Sequence, residues 1–378
     1  MNRGTVAEIN VSALSHNLGI IRALAPHRPV IAVVKADAYG HGAVEVSRQL
    51  VRSGVEYLAV AFTQEARDLR EADITAPLMV LFDPDPKDVI AYNLIPVVAD
   101  KRAAYALSEE ARRNNRTIGL HIEVDTGMGR LGIVGDAVKE ILEIAALEGI
   151  AVEGIMSHFS EADLADASFA RLQMERITTL QHALAARGLK VGFFHLANSA
   201  AVLSLPESHF FAVRPGLMLY GYSPFQEPGA GNRKSEYATA ITGLKPVMTV
   251  KTRMVGLRKL PAGTPISYGR TFITKRESLI GVLSLGYADG FNRLFSSNAE
   301  VLVRGKRAPV VGRVCMDMTM IDVTEVEGIT EHDDVTVLGK QGDESIDASE
   351  LAKRIHTIPY EILLSLGSRA RRIYINAA

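Results

Sequence analysis

Over roughly the first 240 residues, short apolar runs alternate with stretches that place an apolar side chain at every third or fourth position. A buried parallel strand reads as a near-continuous apolar run, and an amphipathic helix as a 3.6-residue repeat. This rhythm predicts strands at 29–34, 57–62, 77–82, 96–99, 118–124, 152–157, 191–196 and 210–213. Helices are predicted at 11–25, 42–53, 63–71, 87–93, 100–114, 136–147 and 165–187, with a short one at 199–203. Strands linked by helices usually lie parallel in one sheet. Eight such units suit a closed (β/α)8 TIM-type barrel, an α/β fold. An open doubly wound sheet is the alternative. No Gly-x-Gly-x-x-Gly follows the first strand, which weakens a dinucleotide-binding reading.

The rhythm then changes. Short, often alternating strands are predicted at 247–257, 278–285, 299–303, 307–311, 320–323 and 334–338, separated by Gly and Pro turns. Helical spacing returns only at 349–355 and 359–366. The expected organisation is a barrel over 1–235 and a mainly β domain over 236–378, joined by the Gly- and charge-rich segment 228–236.

Composition narrows the function. The 378 residues carry a formal net charge of -1, which argues against nucleic acid as a partner. Cys315 is the single cysteine, so no disulfide forms within the chain. The N-terminus lacks a signal-peptide core, and no apolar run is long enough to span a bilayer. A cytoplasmic protein with no membrane partner is expected, and no metal site.

A barrel of this kind places its chemistry at the C-terminal ends of its strands. The first strand ends abruptly in Lys35, followed by Tyr39 in a small, turn-prone stretch. The fifth delivers Asp125-Thr126-Gly127-Met128-Gly129-Arg130, and the sixth Ser157-His158-Phe159. The seventh delivers His195-Leu196-Ala197-Asn198-Ser199, and the eighth Arg214-Pro215-Gly216-Leu217. Taken singly, the histidines suit a satisfied core, Arg130 could pair with Asp125, and Ser199 could be an N-cap. Their repetition at successive strand ends is what those readings explain poorly. The segments after strands seven and eight are where barrels often bind phosphate. A phosphate beside an amine-bearing lysine points to pyridoxal 5'-phosphate, with Lys35 in Schiff-base linkage. Arg214 could meet the pyridine nitrogen and, staying charged, leave it unprotonated.

Val33-Val34-Lys35-Ala36-Asp37-Ala38-Tyr39-Gly40-His41-Gly42, the stretch from Asp125 to Arg130, Val213-Arg214-Pro215-Gly216 and Gly312-Arg313-Val314-Cys315-Met316-Asp317 together resemble alanine racemase. The likeness covers nearly the whole chain, with the motifs in the family's order. It implies a barrel plus a β domain, pyridoxal phosphate as cofactor, and a homodimer whose β domain completes the partner's site. It implies interconversion of L- and D-alanine, supplying D-alanine for peptidoglycan.

The resemblance also assigns roles. Lys35 matches the Schiff-base lysine and the base on one face of the substrate. Tyr268 matches the opposite-face base, supplied by the second subunit, and His158 its hydrogen-bond partner. Arg214 matches the pyridine-nitrogen partner. Arg130 matches the group that contacts the cofactor's phenolic oxygen and the substrate carboxylate. Tyr39, Ser199, Gly216, Leu217 and Tyr360 match phosphate-binding positions, with Asn198 beside them. Met316 matches a backbone donor to the substrate. Tyr287, Asp163, Arg293, Arg313 and Ile358 match the entry gate and its outer corridor. Two opposed bases are what racemisation needs, since a proton must leave one face and return on the other.

One position departs from the family pattern. Many members carry a carbamylated lysine where this chain has Glu123. The expectation is that Glu123 supplies the carboxylate that orients Arg130. Three rivals stand beside the alanine reading. They are a racemase for serine, lysine or a broad range of amino acids, a basic-amino-acid decarboxylase, and a non-catalytic pyridoxal-phosphate carrier.

Overall fold

The computed structural model describes residues 4–225, 240 and 242–376. The expected linker at 228–236 lies outside them. The chain divides into two units. One holds Leu14–Ala38 and Ala43–Lys245; the other holds the chain up to Ala13, Tyr39–Gly42 and the chain from Pro246 onward.

β1 (Val6–Asn10) was not foreseen, and it lies in the second unit rather than in the barrel. Its side chains alternate, with Ala7 and Ile9 buried. It pairs parallel with Arg371–Ile375 and antiparallel with β9 (Met248–Leu260), and neither partner is near it in sequence. The expected division at 235/236 therefore differs from the observed one by this first segment, by Tyr39–Gly42 and by a later boundary at 245/246.

In the first unit, seven parallel strands pair in chain order: β2 (Ile31–Val33), β3 (Tyr57–Val60), β4 (Leu78–Val80), β5 (Ile95–Val98), β6 (Ile118–Glu123), β7 (Ile150–Met156) and β8 (Phe193–His195). The expected eighth strand is reduced to a segment at 211–215, which closes the sheet. Phe211 N–H donates to the Phe194 carbonyl, and Ile31 N–H to that of Val213. Val213 N–H in turn donates to Pro29, and Val33 N–H to Pro215. Ile31 of β2, Leu58 of β3, Leu78 and Val80 of β4, Val98 of β5 and Leu120 and Ile122 of β6 are fully buried. Following helices start where an aspartate can cap them: Asp85, Asp100 and Asp136 each accept from N–H groups of the first turn. Each cap stabilises its helix by about 1 kcal/mol.

The second unit is mainly β. The long strand β9 pairs with β1, Ser278–Leu283 and Asp334–Gln341, and Glu300–Val303 extends the sheet. Ala348–Arg354 and Pro359–Arg369 supply its helices. No helix among the described residues is long and apolar enough to cross a membrane.

Candidate active site

The chain leaves β2 through a left-handed turn. Ala36, Asp37, Ala38 and Tyr39 all hold φ between 51 and 55°, a region that costs an L-residue about 1–2 kcal/mol. Two side chains hold the turn in place. The Glu65 carboxylate accepts from Ala36 N–H, and Asp37 Oδ1 accepts from Ala43 N–H at 2.7 Å. Lys35 stands at its start, half-buried, with Nζ 5.6 Å from the centre of the Phe82 ring. Burial, joined by the charges of Arg130 and Arg214 and opposed by Glu65, lowers its pKa from the usual lysine value. Such an amine loses its proton more readily than a free lysine.

Arg214, at the end of the closing segment, is buried. Its Nη1 donates to the His195 carbonyl at 2.6 Å and to His195 Nδ1 at 2.9 Å. Its Nη2 donates to the Ser157 carbonyl at 2.7 Å and to His158 Nδ1 at 3.2 Å. Burial brings its pKa down to about 10, against the favourable charge of Glu123, so it stays cationic. His158 is pulled down to about 3 by burial and by the cations Arg214, Arg130 and Lys35, and is neutral.

The loop after β6 is shaped by Asp125, whose carboxylate accepts from the N–H groups of Gly127, Met128 and Gly129. Gly127 sits at φ 136°, open to glycine. Burial opposes ionisation of Asp125, but these backbone bonds outweigh it and lower the pKa. Asp125 is thus used by its own loop and does not pair with Arg130. Gln173, missed in the sequence, ties the loops after β6 and β7 together. It donates to the His158 carbonyl at 2.9 Å and to Thr126 Oγ1 at 3.3 Å, and accepts from Ser160 N–H at 3.1 Å. It repeats the buried spacing of its helix, Ser168–Ala186, so its pattern alone showed only a polar residue on an inner face.

The expected partnership of Glu123 and Arg130 is not made. Glu123 is buried, its Oε2 lacks a hydrogen-bond partner, and no ion pair joins it to Arg130 among the described residues. Burial raises its pKa, although Arg130 and Arg214 pull the other way. Arg130 is exposed and lies over Phe82 instead.

Asn198, not Ser199, caps the short helix Ser199–Ser204, accepting from Ala200 and Ala201 N–H. Ser199 Oγ accepts from Gly216 N–H at 2.9 Å and Met218 N–H at 3.3 Å, which joins the segments after β8 and the closing strand. Gly216 caps the 3-10 turn Leu217–Tyr220. The donor set here, backbone N–H groups and a hydroxyl at two helix starts, suits a phosphate. With an amine of lowered basicity and a buried guanidinium in the same barrel, the residues fit pyridoxal phosphate. Asp163, also in this unit, is exposed.

The remaining expected residues lie in the β unit. Tyr39 and Tyr360 stack obliquely, ring centres 5.7 Å apart, and burial together with Tyr360 raises the Tyr39 pKa. Tyr268 is 70% exposed, on the turn Tyr268–Arg270. Ser267 Oγ donates to the Arg313 carbonyl at 2.6 Å, so the Tyr268 and Arg313 loops are tied. Tyr287 N–H and Ala288 N–H donate to the carbonyls of Cys315 and Met316, both at 3.0 Å. That brings Tyr287 beside Met316, and Tyr287 and Arg293 line one small cavity. Ile358, half-exposed, precedes Pro359–Arg369.

Comparison with known proteins identifies the family of the chain. The family model for the alanine racemase N-terminal domain matches residues 9–224, and that for the C-terminal domain matches residues 247–374. The chain is 50% identical to an alanine racemase of Thermodesulfovibrio yellowstonii, over 99% of each chain. It is 41% identical to one of Carboxydothermus hydrogenoformans, over 98% of this chain and 99% of the relative. Among solved structures, the alanine racemase of D-cycloserine-producing Streptomyces lavendulae superposes with a TM-score of 0.91 at 33% identity, over 99% and 98% of the two chains. That of Bacillus anthracis with bound L-Ala-P gives 0.88 at 35% identity, over 100% and 96%.

Proposed function

The chain belongs to the alanine racemase family, and on that premise we propose that it interconverts L- and D-alanine in the cytoplasm, supplying D-alanine for peptidoglycan. The observation that carries the reading is Lys35, an amine of lowered pKa, in the same barrel as the buried, cationic Arg214. Lys35 would hold pyridoxal phosphate covalently. Ser199 and the backbone at Gly216 and Leu217 would hold its phosphate, with Tyr39 and Tyr360 as further donors. When bound, the cofactor withdraws electrons and acidifies the α-proton of the substrate. Arg214, still charged at pH 7, would present an N–H toward the ring nitrogen, which a permanent cation would leave unprotonated.

The chain's own groups then move the proton. Lys35 Nζ serves one face and the Tyr268 phenol, from a second copy of the chain in a homodimer, serves the other. His158, neutral, orients that phenol. Arg130 and the Met316 backbone N–H hold the substrate carboxylate. Tyr287, with Asp163, Arg293, Arg313 and Ile358, forms the entry gate, and the tyrosines favour a small side chain.

The test is racemisation of L-alanine, L-serine and L-lysine with added pyridoxal phosphate, in wild type, Lys35→Ala and Tyr268→Phe. Fast conversion of alanine, lost in both variants, is expected. A preference for serine or lysine would change the substrate and keep the mechanism. No conversion by a cofactor-loaded protein would overturn the reading.

A further inference from the structure

Behind Arg214, a line of hydrogen bonds runs into the barrel and ends on a residue with no part in the reaction proposed above. Arg214 Nη1 meets His195 Nδ1 at 2.9 Å, and His195 Nε2 meets His121 Nδ1 at 2.8 Å. His121 and His195 are both about 1% exposed. A guanidinium only donates, so His195 Nδ1 must accept. The proton of His195 therefore sits on Nε2 and is given to His121 Nδ1, and that of His121 sits on Nε2. The donor Arg214 at one end of His195 and the acceptor His121 Nδ1 at the other are both satisfied by this one tautomer.

The packing around His121 is built to hold it. A Cβ on Gly154 of the neighbouring strand β7 would come within 2.3 Å of the imidazole, so only glycine leaves room for the ring. Phe193 packs edge-on against His121, ring centres 4.8 Å apart, and against His195 at 5.4 Å. Burial and the charge of Arg214 take the His121 pKa down to about 3, so the ring is neutral at pH 7.

We propose that His121 is a positioning residue for Arg214: by accepting the His195 proton it keeps the His195 Nδ1 lone pair facing the guanidinium, and so fixes the plane in which Arg214 presents its N–H. Without that acceptor the His195 Nε2–H is left buried and unpaired, a cost that the Nδ1–H tautomer would escape. A donor would then face a donor, and Arg214 would turn away. The functional consequence rests on the reading of Arg214 as the partner of the cofactor's ring nitrogen.

The test starts with 15N NMR of histidine-labelled full-length protein, with and without pyridoxal phosphate. His195 and His121 are both expected as Nε2–H tautomers. His195 as the Nδ1–H form in the unaltered protein overturns the proposal, whatever the variants do. His121→Leu should give His195 a mixed tautomer and lower kcat tenfold or more with little change in KM. His121→Asn, whose amide oxygen can accept in place of Nδ1, should restore both. Wild-type kcat and tautomer in His121→Leu overturn the positioning role. Arg214→Gln separates the two readings. If it leaves the absorbance of the bound cofactor unchanged while His195 in the wild type is the Nε2–H form, the Arg214 reading fails and takes the role of His121 with it, although the tautomer assignment holds.

Discussion

The guanidinium carbon of Arg130 lies 5.2 Å from the centre of the Phe82 ring, over its face, and no carboxylate pairs with that guanidinium among the described residues. The same ring faces Lys35, so one aromatic side chain serves two cations of the site. A cation over an aromatic face gains about 0.5–2 kcal/mol. Phe82→Leu should therefore raise the KM for alanine roughly two- to thirtyfold, through loss of Arg130 placement. Glu123→Gln should cost less than Phe82→Leu, because no hydrogen bond or ion pair joins Glu123 to Arg130 among the described residues and burial raises its pKa. Activity should be indifferent to added bicarbonate. Steady-state kinetics of the two variants decide the matter. A larger defect in Glu123→Gln would restore the carboxylate as the group that orients Arg130.

The surroundings of Lys35 disfavour its charged form. Burial comes first, then Arg130, and both lower its pKa. Replacing Arg130 with Leu should raise the pKa of Lys35 in the cofactor-free protein. Reductive 13C-methylation followed by NMR titration reads this directly. A fall, or no change, would mean that Arg130 does not act on the amine.

The same burial has a stability consequence. The folded-state pKa of Lys35 lies below that of the unfolded chain, about 10.4. The unfolded state therefore binds more protons between those two values, and stability rises with pH across that window. At pH 7, below the upper edge of that window, the unfavourable surroundings of the amine are a cost that Lys35→Met removes. Its Tm should rise by a few degrees while activity disappears. Differential scanning calorimetry of the cofactor-free proteins checks it, and a lower Tm in the variant would contradict it.

His121 and His195 give the opposite limb. Both stay neutral in the fold well below the usual histidine value of about 6.5. As pH falls below that value the unfolded chain takes up protons that the folded chain refuses. Stability is then lost at about 1.4 kcal/mol per pH unit for each histidine. His121→Asn removes one of the two, so its denaturation free energy should fall less steeply between pH 6 and 4. Equal slopes in urea titrations would show that His121 is protonated in the folded protein.

The left-handed turn after Lys35 makes a local prediction. Ala36 is exposed, with φ 51°. Ala36→Gly should relieve up to about 1 kcal/mol of backbone strain, and Ala36→Val should cost about 1–2 kcal/mol, since a branched side chain fits that region poorly. Thermal melts of the two variants should move in opposite directions. If both destabilise, the flexibility of the unfolded chain dominates the effect.

The apolar pattern of the chain sets the order of strands and helices in the barrel, because buried parallel strands and amphipathic helices leave different periods. It also determined which residues stand at strand ends, and Lys35 and Arg214 were legible for that reason. Tertiary structure decided what no local pattern records. β1 joins the β unit because its hydrogen-bond partners are Met248–Leu260 and Arg371–Ile375, far away along the chain. Phe82 read only as the end of an apolar run until the fold set its ring under Lys35 and Arg130. His121 alternated with Glu123 on one strand face, but its role depends on His195 and Gly154, which belong to other strands. Glu123 sat at the right position for an arginine partner, but in the fold it feels the charges of Arg130 and Arg214 without a hydrogen bond or ion pair to Arg130. Periodicity is a local property of the chain, whereas desolvation and pairing depend on what the closed barrel brings together.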